Sequence, residues 1–194
     1  MDARVSKKDA LIVVDPQIDF MPGGVLAVPG GDRIIPVVNR LVETFERVGG
    51  TVVFSRDWHP EDHCSFKPFG GQWPVHCVQN TRGAQFHPDL RIPEDVLIIS
   101  KATDREKDAY SAFQETELEG VLRERGIERV FVCGLATDYC VKATALDALK
   151  RFSTVYVVTD GIAGVDLRPG DSDAALKALK ERGAILITSK EVIS

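Results

Sequence analysis

Short apolar runs recur six times along the chain, and segments with apolar residues at helical spacing separate most of them. The runs cover 10–14, 51–55, 96–100, 129–134, 155–159 and 184–188. The first run shows no polar alternation, which is typical of a strand buried on both faces. Helical spacing occurs over 34–48, 115–125, 139–151 and 172–182. This order predicts an α/β fold with a doubly wound, mostly parallel six-stranded sheet and helices on both faces.

The size and composition of the chain agree with a globular protein. Its 194 residues suit one domain, expected to span 1–194, and 44% of them are hydrophobic. The net charge is −5 without a basic stripe, so we expect a small-molecule partner and no nucleic acid. The first apolar run is too short for a signal peptide or a membrane span, so no membrane partner is expected. Without an export signal the four cysteines should stay reduced, which indicates a cytoplasmic protein.

Polar residues follow several predicted strands directly, and ligands bind outside the carboxyl ends of strands in sheets of this type. Four of these residues are expected to share one edge of the sheet: Asp15, Asp57, Lys101 and Cys140. Asp160 also follows a predicted strand. Because Gly161 comes next, a role in a turn is enough to explain Asp160, and we do not include it in the site.

Cys140 lies where a strand and a tight turn lead into a helix, so its thiol feels the positive end of the helix dipole. We take it as a candidate nucleophile. Lys101 would favour its thiolate, Asp15 could take the thiol proton and later activate water, and amides near Ala136 and Cys140 could hold an oxyanion. The alternatives are a small buried residue for Cys140 and a structural ion pair or strand-end turn for Asp15 and Lys101.

A second polar group comprises Asp57, His59, His63 and His76. Asp57 and His59 point the same way if the chain is extended, and His76 can complete a site for a divalent metal. Zinc, iron and manganese all accept such a mixed set of ligands. Two alternatives remain: a structural zinc site that pairs His63-Cys64 with His76-Cys77, and loop histidines that bind no metal.

Aromatic residues are frequent in the same loops, namely Phe20, Trp58, Phe66, Trp73 and Tyr110. One of these loops runs from about 60 to 93, and a loop this long in a compact domain is more often functional than not. Several of the rings could sandwich a flat ligand, whereas others would anchor the loops to the core.

Six ordered blocks of residues together resemble the nicotinamidase branch of the isochorismatase-like cysteine hydrolases. The blocks are Asp15-Pro16-Gln17-Ile18-Asp19-Phe20, Arg56-Asp57-Trp58-His59-Pro60, Trp73-Pro74-Val75-His76-Cys77, Ser100-Lys101, Asp108-Ala109-Tyr110-Ser111-Ala112-Phe113 and Gly134-Leu135-Ala136-Thr137-Asp138-Tyr139-Cys140-Val141. The match runs from the first strand almost to the end of the chain.

The resemblance implies a role for each site residue. It implies a catalytic triad of Asp15, Lys101 and Cys140, and metal ligands Asp57, His59 and His76, with His63 as a further ligand. It also implies a substrate pocket formed by Phe20, Trp73, Tyr110 and Leu135, and an oxyanion hole formed by the amides of Ala136 and Cys140. The bond between Leu135 and Ala136 is expected to be cis, and one divalent metal ion is expected, zinc before iron or manganese.

The reaction that the resemblance implies is hydrolysis of nicotinamide, and also of pyrazinamide, through a thioester on Cys140, as a step of NAD salvage. Rival hypotheses are a related hydrolase that acts on isochorismate or on an N-carbamoyl or ureido compound, and a non-enzymatic metal or thiol sensor. Isochorismatases usually lack the Asp-x-His metal ligands, so Asp57, His59 and His76 argue against isochorismate as the substrate. Members of the family are often dimers or larger, so a homo-oligomer is a further expectation, although the composition indicates no interface.

Overall fold

The computed structural model describes residues 3–193, and its centre is one six-stranded sheet. The strands are β1 Asp9–Val14, β2 Thr51–Asp57, β3 Leu97–Lys101, β4 Arg129–Leu135, β5 Thr154–Ala163 and β6 Ile185–Ile187. They lie in the order β3-β2-β1-β4-β5-β6, and every neighbouring pair is parallel. The predicted doubly wound α/β fold is therefore confirmed, with a sheet that is parallel throughout.

Helices cover both faces of the sheet. They are α1 Ile35–Val48, α2 Leu118–Glu124, α3 Lys142–Leu149, α4 Asp171–Glu181 and α5 Ser189–Ile193. Single 3-10 turns occur at Ile18–Phe20, Gly31–Ile34, Lys67–Phe69 and Arg82–Ala84. Within the described residues, the longest helix has 14 residues and none could cross a membrane.

The uniformly apolar β1 divides its side chains between two cores because side chains alternate along a strand. Leu11 and Val13 join one core with the apolar face of α1, including Leu41. Ala10, Ile12 and Val14 join the opposite core, which α2, α3 and α4 cover. Burial on both faces explains why this strand lacks polar residues.

Two predicted elements differ in the structure. The helix expected from 115 begins at Leu118, because Glu115 has a φ of 54° and cannot belong to a right-handed helix. The turn expected at Asp160 is wrong, since β5 continues to Ala163 beyond a register shift against β4. The Asp160 carboxylate instead accepts hydrogen bonds from the amide and hydroxyl of Ser189, at 2.7 and 2.6 Å, and holds the start of α5.

Candidate active site

The ends of β1, β3 and β4 bring three predicted site residues together. The ammonium of Lys101 lies 2.8 Å from Oδ2 of Asp15 and 3.5 Å from the sulfur of Cys140. A carboxylate oxygen of Asp15 is within 4.8 Å of that sulfur. Lys101 also forms an ion pair with Asp57, which lies opposite it in the register of β2 and β3. The expectation that these four residues share one sheet edge is confirmed.

The backbone turns sharply at Asp15. Its φ of 46° takes the chain out of β1, and Pro16 follows, so the parallel ladder stops there. The carboxylate is fully buried, and Oδ1 accepts a hydrogen bond of 2.7 Å from the hydroxyl of Ser55 on β2.

Cys140 lies in a single π-helical turn, Thr137–Val141, that precedes α3. The turn is closed by the amide of Val141, which donates to the carbonyl of Ala136 at 3.1 Å. The peptide bond between Leu135 and Ala136 is cis, as expected. The role of the Ala136 and Cys140 amides in an oxyanion hole stays a prediction.

Burial and nearby charges together set the protonation of the thiol and its neighbours. It raises the pKa of the Cys140 thiol well above its ordinary value, against the opposing charge of Lys101. Burial also raises the pKa of Asp15, although Lys101 opposes this rise. For Lys101 burial would lower the pKa, but the charges of Asp15 and Asp57 outweigh it and raise that pKa well above its usual value. These shifts favour a neutral thiol beside the Lys101 ammonium, and they make the carboxylate of Asp15 a stronger base than that of an ordinary aspartate.

Asp57, His59 and His76 form a buried group in which one atom of each lies within 4.8 Å of the others. Nε2 of His59 is 3.5 Å from Oδ2 of Asp57, and Nε2 of His76 is 3.7 Å from it. Ligand atoms bound about 2.0–2.2 Å from one tetrahedral zinc ion are about 3.3–3.6 Å apart, so this spacing suits a metal.

The hydrogen bonds behind the two imidazoles also fit a metal site. Nδ1 of His59 faces the carbonyl of Ala102 at 3.0 Å, and Nδ1 of His76 faces the carbonyl of Pro74 at 2.8 Å. In the neutral form of each imidazole, the Nδ1 that donates to a carbonyl carries the proton, and the Nε2 near Asp57 keeps the lone pair that a metal ion would bind. Burial would raise the pKa of Asp57, but Lys101 and His59 hold it well below its ordinary value, so the carboxylate is ionised.

The structure does not bring His63 into this group, in contrast to the expectation that it is a further ligand. Its Nε2 faces the carbonyl of Lys107 at 3.1 Å, and its Nδ1 faces the hydroxyl of Ser65 at 2.8 Å. Both nitrogens are thus engaged, and the ring stacks on His59 with centroids 4.2 Å apart. Within residues 3–193, the ligands of the alternative zinc site, which would include Cys64 and Cys77, do not lie together, and none of the four cysteines forms a disulfide.

An apolar pocket opens beside the thiol and the metal-ligand group. The four predicted substrate residues Phe20, Trp73, Tyr110 and Leu135 all line it, together with Leu26, Val28, Ala136, Tyr139 and Val165. Nε1 of Trp73 donates a 3.0 Å hydrogen bond to the hydroxyl of Tyr110, so two loops meet over the pocket. Trp58 and Phe66 lie outside its lining, which agrees with the loop-anchoring alternative for them.

Three contributing residues were missed by sequence reasoning. Tyr139 places its ring against Trp73, with centroids 5.1 Å apart, and its position next to Cys140 was the available signal. Ser55 holds Asp15, and its place two residues before Asp57 on the same strand face was a weak signal. Gln17 pairs with both backbone groups of Asp57 at 2.8 and 2.7 Å, which nothing in its spacing predicted.

The family model described as Isochorismatase domain matches residues 9–191. The chain belongs to the isochorismatase domain family. The nicotinamidase of Escherichia coli is 44% identical over an alignment of 200 positions, which covers 92% of this chain and 94% of that protein.

Two solved structures are similar over nearly the whole chain. The pyrazinamidase of Pyrococcus horikoshii, crystallised in complex with zinc, is 52% identical with a TM-score of 0.89, covering 93% of this chain and 99% of the other. PnC1 from L. infantum, solved in complex with nicotinate, is 39% identical with a TM-score of 0.90, covering 97% of this chain and 96% of the other.

Proposed function

We propose that the protein is a metal-dependent cysteine amidohydrolase that converts nicotinamide to nicotinate and ammonia, as a step of NAD salvage, and that also accepts pyrazinamide. The observation that carries this proposal is the contact of the Cys140 thiol with Lys101, which is paired with Asp15, beside the apolar pocket that Asp15 and Cys140 help to line. The substrate is supported by the nicotinamidase and pyrazinamidase activities for which the similar proteins are named.

The reaction follows from the protonation of the site. Asp15 accepts the proton of the Cys140 thiol, and the sulfur attacks the carboxamide carbon. The proton passes to the leaving nitrogen, the C–N bond breaks, and ammonia departs from a thioester. Asp15 then takes a proton from water, whose oxygen attacks the thioester carbon, and the thiol regains its proton as the acid leaves. Lys101 keeps its charge throughout and stabilises the anionic sulfur.

Asp57, His59 and His76 would hold the divalent metal ion, and we propose zinc. Their mixed oxygen and nitrogen donors accept zinc, iron or manganese, and the similar pyrazinamidase contains zinc. When bound, the ion supplies a Lewis-acidic centre that can bind a ring nitrogen of the substrate and so orient it. The pocket aromatics would hold the ring by stacking and would exclude water from it.

The proposal extends to the whole chain and its setting. We propose that residues 1–194 form one hydrolase domain, because all six strands belong to one sheet. A cytoplasmic location is supported by four free cysteines in the chain. A homo-oligomer stays a prediction, which sedimentation would test.

The decisive test compares ammonia release from nicotinamide, pyrazinamide and an N-carbamoyl amine. We expect release from the first two, a fall of at least tenfold after chelation, and recovery when zinc is restored. Release from the N-carbamoyl compound alone would overturn the substrate assignment and favour the related carbamoyl hydrolases. Full activity in the chelated protein would overturn the role of the metal.

A further inference from the structure

We propose that Ser55 is a positioning residue for the reaction, whose hydroxyl holds the Asp15 carboxylate so that Oδ2 is presented to Lys101 and Cys140. This inference rests on the proposed function, because it takes Asp15 as the base that accepts the thiol proton. Ser55 does not touch the pocket, so it would act through Asp15 alone.

The hydrogen bonds around Ser55 leave its hydroxyl one direction in which to donate. Its Oγ accepts the amide of Asp15 at 3.3 Å and donates to Oδ1 of the same residue at 2.7 Å. The Asp15 amide also donates to the backbone carbonyl of Ser55 at 3.1 Å. Both residues are fully buried, so water does not compete for these groups.

The other carboxylate oxygen is left for the chemistry. Among the described residues, Oδ2 of Asp15 is a buried oxygen that makes no hydrogen bond of good geometry, and its ionic partner is the ammonium of Lys101 at 2.8 Å. Its remaining lone pair can therefore receive a proton from the thiol of Cys140. Ser55 occupies Oδ1, and Lys101 occupies one side of Oδ2. These two contacts together fix the orientation of the carboxylate and so direct the remaining lone pair of Oδ2 towards Cys140.

Ser55 is needed for this because the terminal torsion of an aspartate has a broad, weakly preferred range. The structure gives Oδ1 one hydrogen-bond donor within residues 3–193, and that donor is Ser55. Without it the carboxylate can rotate about the Lys101 contact, and a small misplacement of a catalytic base lowers the rate of the chemical step more than it weakens substrate binding.

The first experiment measures kcat and KM for ammonia release by three variants of the protein, each with a different residue in place of Ser55. We expect Ser55→Ala and Ser55→Cys to lower kcat about tenfold with KM unchanged within about twofold, since cysteine fills the space but donates weakly. Ser55→Thr keeps the hydroxyl and should recover kcat to within about threefold of the wild type. The control is Ser100→Ala at the end of β3, whose hydroxyl bonds Arg56 and not the site, and which should stay within about twofold.

The second experiment does not use the substrate. It follows alkylation of Cys140 by iodoacetamide, read from the mass of its peptide, in folded proteins with equal metal content. We expect Ser55→Ala to slow alkylation at least about threefold in the wild-type background and to have no further effect in Asp15→Asn, because the two residues act as a unit.

The proposal is overturned if Ser55→Ala and Ser55→Cys retain the wild-type kcat. It is also overturned if Ser55→Ala slows alkylation equally in the wild-type and Asp15→Asn backgrounds. A structural role alone would alter KM and the unfolding midpoint together and would not depend on Asp15. If the wild type releases no ammonia from any amide, the proposed function fails, yet the alkylation comparison still decides whether Ser55 positions Asp15.

Discussion

Lys101 lies between the carboxylates of Asp15 and Asp57 and beside the sulfur of Cys140, with its own side chain fully buried. A buried cation is tolerated only when it is paired, and here it balances two carboxylates that would otherwise repel each other. The same residue thus holds the buried charges together and, in the proposed reaction, stabilises the anionic sulfur. Its removal should affect both.

We expect Lys101→Met to abolish ammonia release and to lower the free energy of unfolding by about 3–5 kcal/mol, since two buried carboxylates lose their partner. The matched control is Lys177→Met on α4, where an exposed lysine lies 4.0 Å from Glu181 and where we expect a change within about 0.5 kcal/mol. Urea unfolding of both variants measures the difference. Equal stability of the two would show that the Lys101 contacts contribute nothing to folding.

Histidine substitutions would separate the proposed metal ligands from the histidine beside them. We expect His59→Ala to weaken zinc binding more than about a hundredfold, whereas His63→Ala should stay within about tenfold of the wild type. The reason is that Nε2 of His59 faces Asp57, while both nitrogens of His63 are engaged elsewhere. Metal content after dialysis against a competing chelator gives the answer. Equal loss in both variants would make His63 a ligand, as the resemblance implied.

At the scale of elements, the end of β4 depends on the close approach of its backbone to the backbone of β1. Gly134 has a φ of +111°, and a Cβ at this position would lie 2.2 Å from the carbonyl oxygen of Val14 on the neighbouring strand. No side chain fits there without displacing β1 or β4. Asp15 and Leu135 directly follow Val14 and Gly134. This close contact between β1 and β4 therefore helps to set the positions of both site residues.

We therefore expect Gly134→Ala to lower the free energy of unfolding by about 2 kcal/mol or more, through strain and backbone overlap. Gly120→Ala is the matched control, since this exposed glycine of α2 has open space around its Cβ position. It should be stabilised by about 0.5–1 kcal/mol because alanine favours the helix. Urea midpoints compare the two, and a neutral Gly134→Ala would contradict the close approach.

The position of the site could be predicted from the elements, whereas some of its detail could not. Strand ends share one edge in a parallel sheet, so Asp15, Lys101 and Cys140 were expected near one another from the strand pattern alone. The orientation of His63 depends on the carbonyl of Lys107, 44 residues away, which no local pattern encodes. The prediction of a turn at Asp160 was wrong for a similar reason, because its hydrogen-bond partner Ser189 is distant in sequence.

At the scale of the whole molecule, the sheet order gathers chemistry from residues far apart along the chain. Four adjacent strands, β3, β2, β1 and β4, lead to Lys101, Asp57, Asp15 and the turn before Cys140, in that order. The fold was predictable because alternating strands and helices admit few right-handed arrangements. The lining of the pocket was only partly predictable, since loops from 20, 73, 110 and 165 meet there through tertiary contacts.

The central claim is that Cys140 is the nucleophile of an amide hydrolase. The most direct measurement is the initial rate of ammonia release from nicotinamide by metal-loaded wild-type and Cys140→Ala proteins, with Cys64→Ala as the control. The account predicts a fall of at least about ten-thousandfold in Cys140→Ala, because no thioester can form, and a rate within about twofold for Cys64→Ala. A Cys140→Ala protein that releases ammonia within about tenfold of the wild-type rate would contradict it.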